Sequence, residues 1–360
     1  MVHFYMRRDV YKSGGQQAVG RVAYITREPV RSRALDQIAY VSGAREDCVV
    51  SASLNLPTWC ANDPYVYFAA AEKHEGVGWV AFEELKIGLP VELTHEQNIA
   101  LIRDMVHTIA GERLPITYAF HAPRTMDGSQ EQPHVHVIFS RRQTDGIARS
   151  AAQHFRKYHA AHPEQGGAQK DPFFAERLVQ RHLRVLLADV VNLRLEQQGT
   201  VVRVDPRSLR DRGIDRAPEP KLFPKESREY REQRKVSPRL ATVLGLREAR
   251  ATQPPREQNA ARQYWEQRKG ALGITRDMPH AQKLAQVLLK RHGTVERVPE
   301  RYRPLVAQTP TPSPASTRTT MLTQQLKRLT RRLAPTLDDT AGQGRLAIRL
   351  HEERGQGVSW

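Results

Sequence analysis

The sequence predicts an α+β fold with a mostly antiparallel central sheet and flanking helices. Three observations lead there. Short stretches alternate apolar and polar residues with a period of two, longer ones repeat apolar residues at helical spacing, and the two kinds interleave along the chain. Two of the strands are separated by a stretch containing Asp127-Gly128, a dipeptide that favours tight turns, so they pair antiparallel.

Taken in order, Val2–Met6 alternates and predicts a first strand, with Val2, Phe4 and Met6 on one face. The turn signal Ser13-Gly14-Gly15 precedes a predicted helix over Gln16–Arg27. Trp79–Gly88 reads as a strand, with Leu85 and Ile87 on one face and Phe82, Glu84 and Lys86 on the other. Thr94 and Gln97 form a capping-box pattern ahead of Ile99, Ile102, Val106 and Ile109, which recur at helical spacing. Strands follow over Ile116–His121 and His134–Ser140. A long helix is expected over Pro172–Gln198, and a last short strand over Val201–Val204.

The text changes after about Arg216. Residues 1–216 are expected to form the first domain and 217–297 a basic helical region, with helix-like pieces over Glu257–Lys269 and His280–Arg291. Residues 298–320 are rich in Pro, Thr and Ser and read as a linker. Residues 321–360 form a basic tail, which opens on the amphipathic segment Met321–Leu333.

Charge narrows the partner. Fifty-six basic residues against 39 acidic ones give a net +17. That excess favours a polyanion, nucleic acid or an anionic membrane surface, with binding that weakens as salt rises. No stretch resembles a transmembrane helix of about 20 apolar residues, and the start MVHFYMRRDV carries arginines where a secretory signal would be apolar. The expectation is a cytoplasmic protein without membrane insertion. Cys48 and Cys60 make neither a disulfide framework nor a C-x-x-C site.

The chemistry centres on PHVHVIFSRR, residues 133–142. On a strand His134 and His136 share one face while Val135, Val137 and Phe139 pack the other. Two imidazoles side by side suit a metal ion, although a polar strand face has the same pattern. Antiparallel pairing brings His121 near His134, so three histidines converge. On the early helix Val19, Val22, Ala23 and Thr26 cluster inward; Tyr24 falls on the polar side with Gln17, Arg21 and Glu28. That position suits either an exposed surface tyrosine or a nucleophile, and Arg21 and Arg27 are at hand to hold a phosphate. Gly15–Gly20 has the glycine spacing of a P-loop, but Arg21-Val22 replaces the Lys-Ser/Thr pair, which excludes nucleotide hydrolysis by that motif.

Four blocks in order, GQQAVGRVAYITRE, FEELKIGLPVELT, YAFHA…PHVHVIFSRR and FRKYHAAHPEQGGAQK, resemble the MobA/MobL relaxases, plasmid-mobilisation enzymes of the His-hydrophobic-His nicking group. The resemblance covers roughly the first 200 residues. Tyr24 precedes the histidine pair, as in relaxases; in rolling-circle replication initiators and related transposases the tyrosine follows it.

The resemblance implies a metal-dependent relaxase that nicks one strand at a plasmid transfer origin and rejoins it. Tyr24 would be the nucleophile, forming a 5′-phosphotyrosine. His121, His134 and His136 would hold a divalent ion, Mg2+ or Mn2+, and Glu84 would orient a ligand or accept a proton. Two residues on, relatives carry a second acid; this chain has Lys86, which makes a Glu84–Lys86 salt bridge an equal reading. The loop between His121 and His134 is longer than usual, and Tyr40 is the rival nucleophile. The partner would be single-stranded or locally melted origin DNA. Backbone contacts are expected among Arg7, Arg21, Arg27, Arg141, Arg142, Arg149, Lys157 and Lys170. Relaxosome accessory proteins and a type IV secretion coupling protein are further implied partners. The alternatives are a non-catalytic, basic DNA-binding or replication-control protein of the same fold, and a small-molecule metallohydrolase. The latter lacks the extra Asp or His ligands it would need.

Overall fold

The structure is a computed structural model that describes residues 4–28, 47–125, 130–214, 219–220, 222–251 and 254–307. Tyr40, the Asp127-Gly128 turn and the segment Met321–Leu333 lie outside the described residues. The strands are β1 (Met6–Lys12), β2 (Cys48–Leu54), β3 (Val80–Gly88), β4 (Ile116–His121) and β5 (His134–Phe139). They form one antiparallel sheet in the order β1-β3-β5-β4-β2. Early helices are α1 (Ala18–Thr26), α2 (Pro64–His74), α3 (His95–Ala110) and the single turn α4 (Ala151–His154). Later come α5 (Val179–Gln197), α6 (Pro224–Gln233), α7 (Pro238–Ala251), α8 (Pro254–Leu272), α9 (His280–His292) and α10 (Arg303–Ala307). The predicted α+β class is the observed one.

Alternation along the strands divides the sheet into two layers. Leu85, Ile87, Ile116, Val135, Val137 and Phe139 face one core, which is closed by α3, α5 and α9. Phe82, Ala119 and Ile138 face the other, packed under Ala18, Val22 and Ile25 of α1 and Tyr67, Phe68 and Ala71 of α2. Helix α1 has no cap of its own. The Glu72 carboxylate of α2 accepts from the amides of Gln17 (2.7 Å) and Ala18 (2.9 Å), so the helix start is fixed by its neighbour. The capping box on α3 is present: Thr94 Oγ1 accepts from the Gln97 amide and Gln97 Oε1 accepts from the Thr94 amide.

Several expectations are corrected. Of the stretch expected as a first strand, Val2 and His3 lie outside the described residues, Phe4 and Tyr5 precede β1, and Met6 opens it; the Gly88 amide at the end of β3 donates to the Tyr5 carbonyl. Residues Phe4 and Met6 do point inward as the alternation requires. The helix expected from Pro172 starts at Val179. Asp171 caps a separate 3-10 turn, Pro172–Ala175, and Glu176 then takes an extended backbone. Val201–Val204 is no strand; Asn192 bonds both the N–H and C=O of Val204 and replaces ladder pairing. β2 and α2 were not anticipated from the pattern. Packing also continues past Arg216: Trp265, Leu284, Leu288 and Tyr302 join the core under α5, and the compact unit runs through Thr309.

Candidate active site and metal centre

The register sets the histidines. His121 at the end of β4 lies directly opposite His134 at the start of β5, and His136 follows two residues on, on the same face. Beyond the strands the pairing runs on into the hairpin through Arg124 and Glu131. The three rings lie 5.1–5.5 Å apart between centroids, and one nitrogen from each falls within 4.8 Å of the others.

Each ring has one nitrogen held by a group that can only accept. His121 Nε2 donates to the Ile25 carbonyl (2.6 Å), His134 Nδ1 to the Gln132 carbonyl (2.9 Å) and His136 Nδ1 to the Glu84 carboxylate (2.8 Å). Those acceptors place the proton, so the opposite nitrogens carry lone pairs: Nδ1 of His121 and Nε2 of His134 and His136. His136 Nε2 is buried with no hydrogen-bond partner. An orphaned lone pair beside two others is what a divalent-metal site requires, so the donor set fits an ion.

Electrostatics agree. Burial lowers all three imidazoles, to about 4 for His121 and about 2 for His134, with Glu84 opposing the shift at His136. The rings are therefore neutral and able to ligate near neutral pH. Burial would raise the Glu84 carboxyl, but hydrogen bonds from His136 and Arg21 overcome it and hold it at about 2. Arg21 bonds Glu84 at 2.6–2.9 Å, and the Tyr11 hydroxyl adds a contact at 3.2 Å. Burial and the adjacent carboxylate push the Tyr11 phenol up to about 12. Glu84 thus pairs with Arg21 and His136, not in the salt bridge with Lys86 that its sequence position allowed. Burial lowers the Lys86 ammonium.

Tyr24 lies beside this cluster. Its half-buried ring meets His136 edge-on at 5.9 Å between centroids, with the guanidinium groups of Arg21 and Arg27 each 4.7 Å from its centre. The Ile25 carbonyl that holds His121 belongs to the next residue, so α1 and β4 are tied together at the nucleophile candidate. The inward face of α1 is Ala18, Val22, Ala23, Ile25 and Thr26, with Val19 only half-buried.

The remaining candidates separate. Arg7 is exposed, pairs with Asp9 and lies opposite Lys86 on the histidine face. Lys157 is exposed on the loop after α4. Lys170 pairs with Glu75 at 3.1 Å and covers Trp79. Arg141 joins Arg8 in gripping the buried Glu83, whose strand position faces away from the histidines. Arg142 is buried, bonding Glu75 and the carbonyls of Phe155, Arg156 and Ala168. Arg149 is buried against Asp145 and the carbonyls of Pro163 and Gly166. Both shape the loop after α4 and offer little surface to a ligand. Sequence reasoning missed Tyr11 and the carbonyls of Ile25 and Gln132. Only the alternation of β1, which puts Tyr11 on the Arg7 face, carried any signal for these.

Known proteins resemble the chain over this region. A family model described as the MobA/MobL family matches residues 16–232. Mobilization protein A of Escherichia coli is 36% identical over 214 residues, 59% of this chain and 28% of that protein. A 43 kDa relaxation protein of Salmonella typhimurium is 34% identical over 212 residues, 57% of this chain and 54% of that one. The matched region is thus about a quarter to a half of these relatives' own lengths. A solved structure from work on vancomycin resistance transfer in Staphylococcus aureus overlays with a TM-score of 0.45 at 18% identity, covering 57% of this chain and 100% of that one.

Proposed function

The chain belongs to the MobA/MobL family, and from that premise we propose that it is a relaxase that nicks and rejoins one DNA strand at a plasmid transfer origin. The observation that carries the reading is the Tyr24 ring set against His136 at 5.9 Å, on a helix whose next residue holds His121.

Tyr24 Oη attacks the scissile phosphorus, the 3′-oxygen leaves, and a 5′-phosphotyrosine joins protein to DNA. The phenol gives up one proton and the departing oxygen takes one up. The exchange of one phosphate ester for another conserves bond energy, so attack by the 3′-hydroxyl reseals the strand without a nucleotide cofactor. His121, His134 and His136 would hold a divalent ion, which would supply Lewis acidity to the scissile phosphate. Glu84 fixes His136 and Arg21 at once, and Arg21 and Arg27 flank the phenol where they oppose the phosphate's negative charge. The ion is Mg2+ or Mn2+, and the partner single-stranded or locally melted origin DNA, with accessory and coupling proteins in the cell. Arg7, Lys157 and Lys170 are the surface cations offered to its backbone. No helix among the described residues is long and apolar enough to cross a membrane.

The test is an origin oligonucleotide with Mn2+ and wild-type or Tyr24→Phe protein. The wild type forms a nick and a protease-sensitive DNA-linked band; Tyr24→Phe forms neither. A persistent adduct moves the nucleophile to Tyr40, and wild-type protein that binds without an adduct favours the non-catalytic DNA-binding alternative.

A further inference from the structure

On the opposite layer from the histidines, a groove of about 970 Å³ opens between the α3–β4 connection, the start of α5, and α8 and α9. Its rim carries Arg113, Arg181, Lys290 and Arg297, all exposed and none in an ion pair among the described residues. The anions that line it are already engaged: Asp171 with Arg291, Glu176 with His182, and Glu112 with Arg303 and the Glu300 amide. Four cations without an ion-pair partner around one concavity repel each other, and a bound polyanion relieves that repulsion. The N-terminus of α5, which has no side-chain cap and no acid in its first turn, adds positive potential at the same place. Half-buried Phe173 and Tyr264 line the groove beside these charges.

We propose that this groove is a second binding site for single-stranded DNA, separate from the nicking centre. Cations that track a backbone beside aromatic rings on which bases stack are the chemistry of single-strand binding. A concave groove floored by helices is less suited to a rigid duplex. The groove sits at the Ile116 end of β4 and the histidines at its His121 end, roughly 17 Å apart along the strand by the usual rise per residue. The two sites therefore take different segments of a strand. The inference rests on DNA being the substrate but not on the identity of the nucleophile.

The test compares wild type with the combined variant Arg113→Gln, Arg181→Gln, Lys290→Gln and Arg297→Gln, by fluorescence anisotropy with a 30-nucleotide oligothymidine across salt concentrations. Each lost phosphate contact removes about 0.7 from the slope of log K against log salt, so the slope should fall by roughly 3. Between 50 and 200 mM salt the wild type should lose about fifty-fold more affinity than the variant. Thermal midpoint and nicking of a short origin oligonucleotide at saturation should be unchanged. Photo-crosslinking from iodouridine in the oligonucleotide should label the Tyr264 peptide in the wild type and not in the variant. An unchanged slope with no crosslink overturns the proposal, as does loss of duplex or polyglutamate binding alone. Wild type that forms no covalent adduct while the variant still loses slope defeats the nicking reading and leaves the groove standing. Wild type that binds no oligothymidine overturns both.

Discussion

At the residue scale, Glu84 ties the site together. Its carboxylate accepts hydrogen bonds from His136 Nδ1 and from two nitrogens of Arg21, so one side chain sets both the tautomer of a proposed metal ligand and a cation's position. Partners of this kind typically affect metal affinity 10–100-fold. Glu84→Gln is therefore expected to weaken Mn2+ binding by about one to two orders of magnitude in calorimetry while the fold persists. Unchanged affinity would mean that His136 needs no such partner. Arg142 is the contrasting residue. Its side chain and that of Glu75 are 3% and 1% exposed, so Arg142→Met leaves Glu75 buried with only Lys170 beside it. Breaking a buried pair on one side costs about 3–5 kcal/mol. Chemical denaturation should show that loss, whereas a residue acting mainly through DNA would leave stability unchanged and alter only the salt slope.

At the element scale, the α3–α9 contact is built around neutral histidines. His292 Nε2 donates to the His107 carbonyl at 3.0 Å, and burial lowers both rings to about 4. His154, packed between Trp59 and Tyr67, is lowered by burial to the same value. The unfolded chain takes up protons below about 6.5 while the folded chain resists until about 4. Stability is therefore complete above the unfolded value and falls as pH drops through that window. The limit is about 3 kcal/mol per ring, at roughly 1.4 per pH unit. Urea midpoints at pH 7 and pH 5 should differ accordingly, and the difference should shrink in His292→Gln. A midpoint that is flat or rises towards pH 5 would contradict this account.

At the scale of the whole molecule, the question is where the folding unit ends. Domain reading from composition put a boundary near Arg216, with the basic text beyond it outside the nicking domain. In the fold, Leu284, Val287 and Leu288 of α9 and Trp265 of α8 complete the core that α5 begins. Each large apolar side chain so buried contributes about 1.5–3 kcal/mol, comparable in sum to a domain's net stability. A chain ending at residue 216 is expected to aggregate or lose its cooperative transition. One ending at residue 309 should keep the wild-type thermal midpoint and nick the same oligonucleotide. Cooperative melting of the shorter chain would show that α8 and α9 are dispensable.

What was legible beforehand follows the periodicity of the backbone. The period of two on β5 put His134 and His136 on one face, and the period of 3.6 on α1 put Tyr24 opposite Val22. A turn dipeptide brought His121 into the same hairpin. Such relations are local and independent of the rest of the chain. Which arginines remain at the surface is not a local property: Arg141 and Arg142 are adjacent in sequence, yet one grips Glu83 and the other Glu75, at distances along the chain that no pattern encodes. The polar text after Arg216 read as a separate region because α8 and α9 each bury a narrow stripe, visible as core only once α5 supplies the matching face. The chain's local order thus determined which side chains face together. Tertiary packing alone decided their protonation, their exposure and the helices that close the core, because those depend on neighbours brought close only by folding.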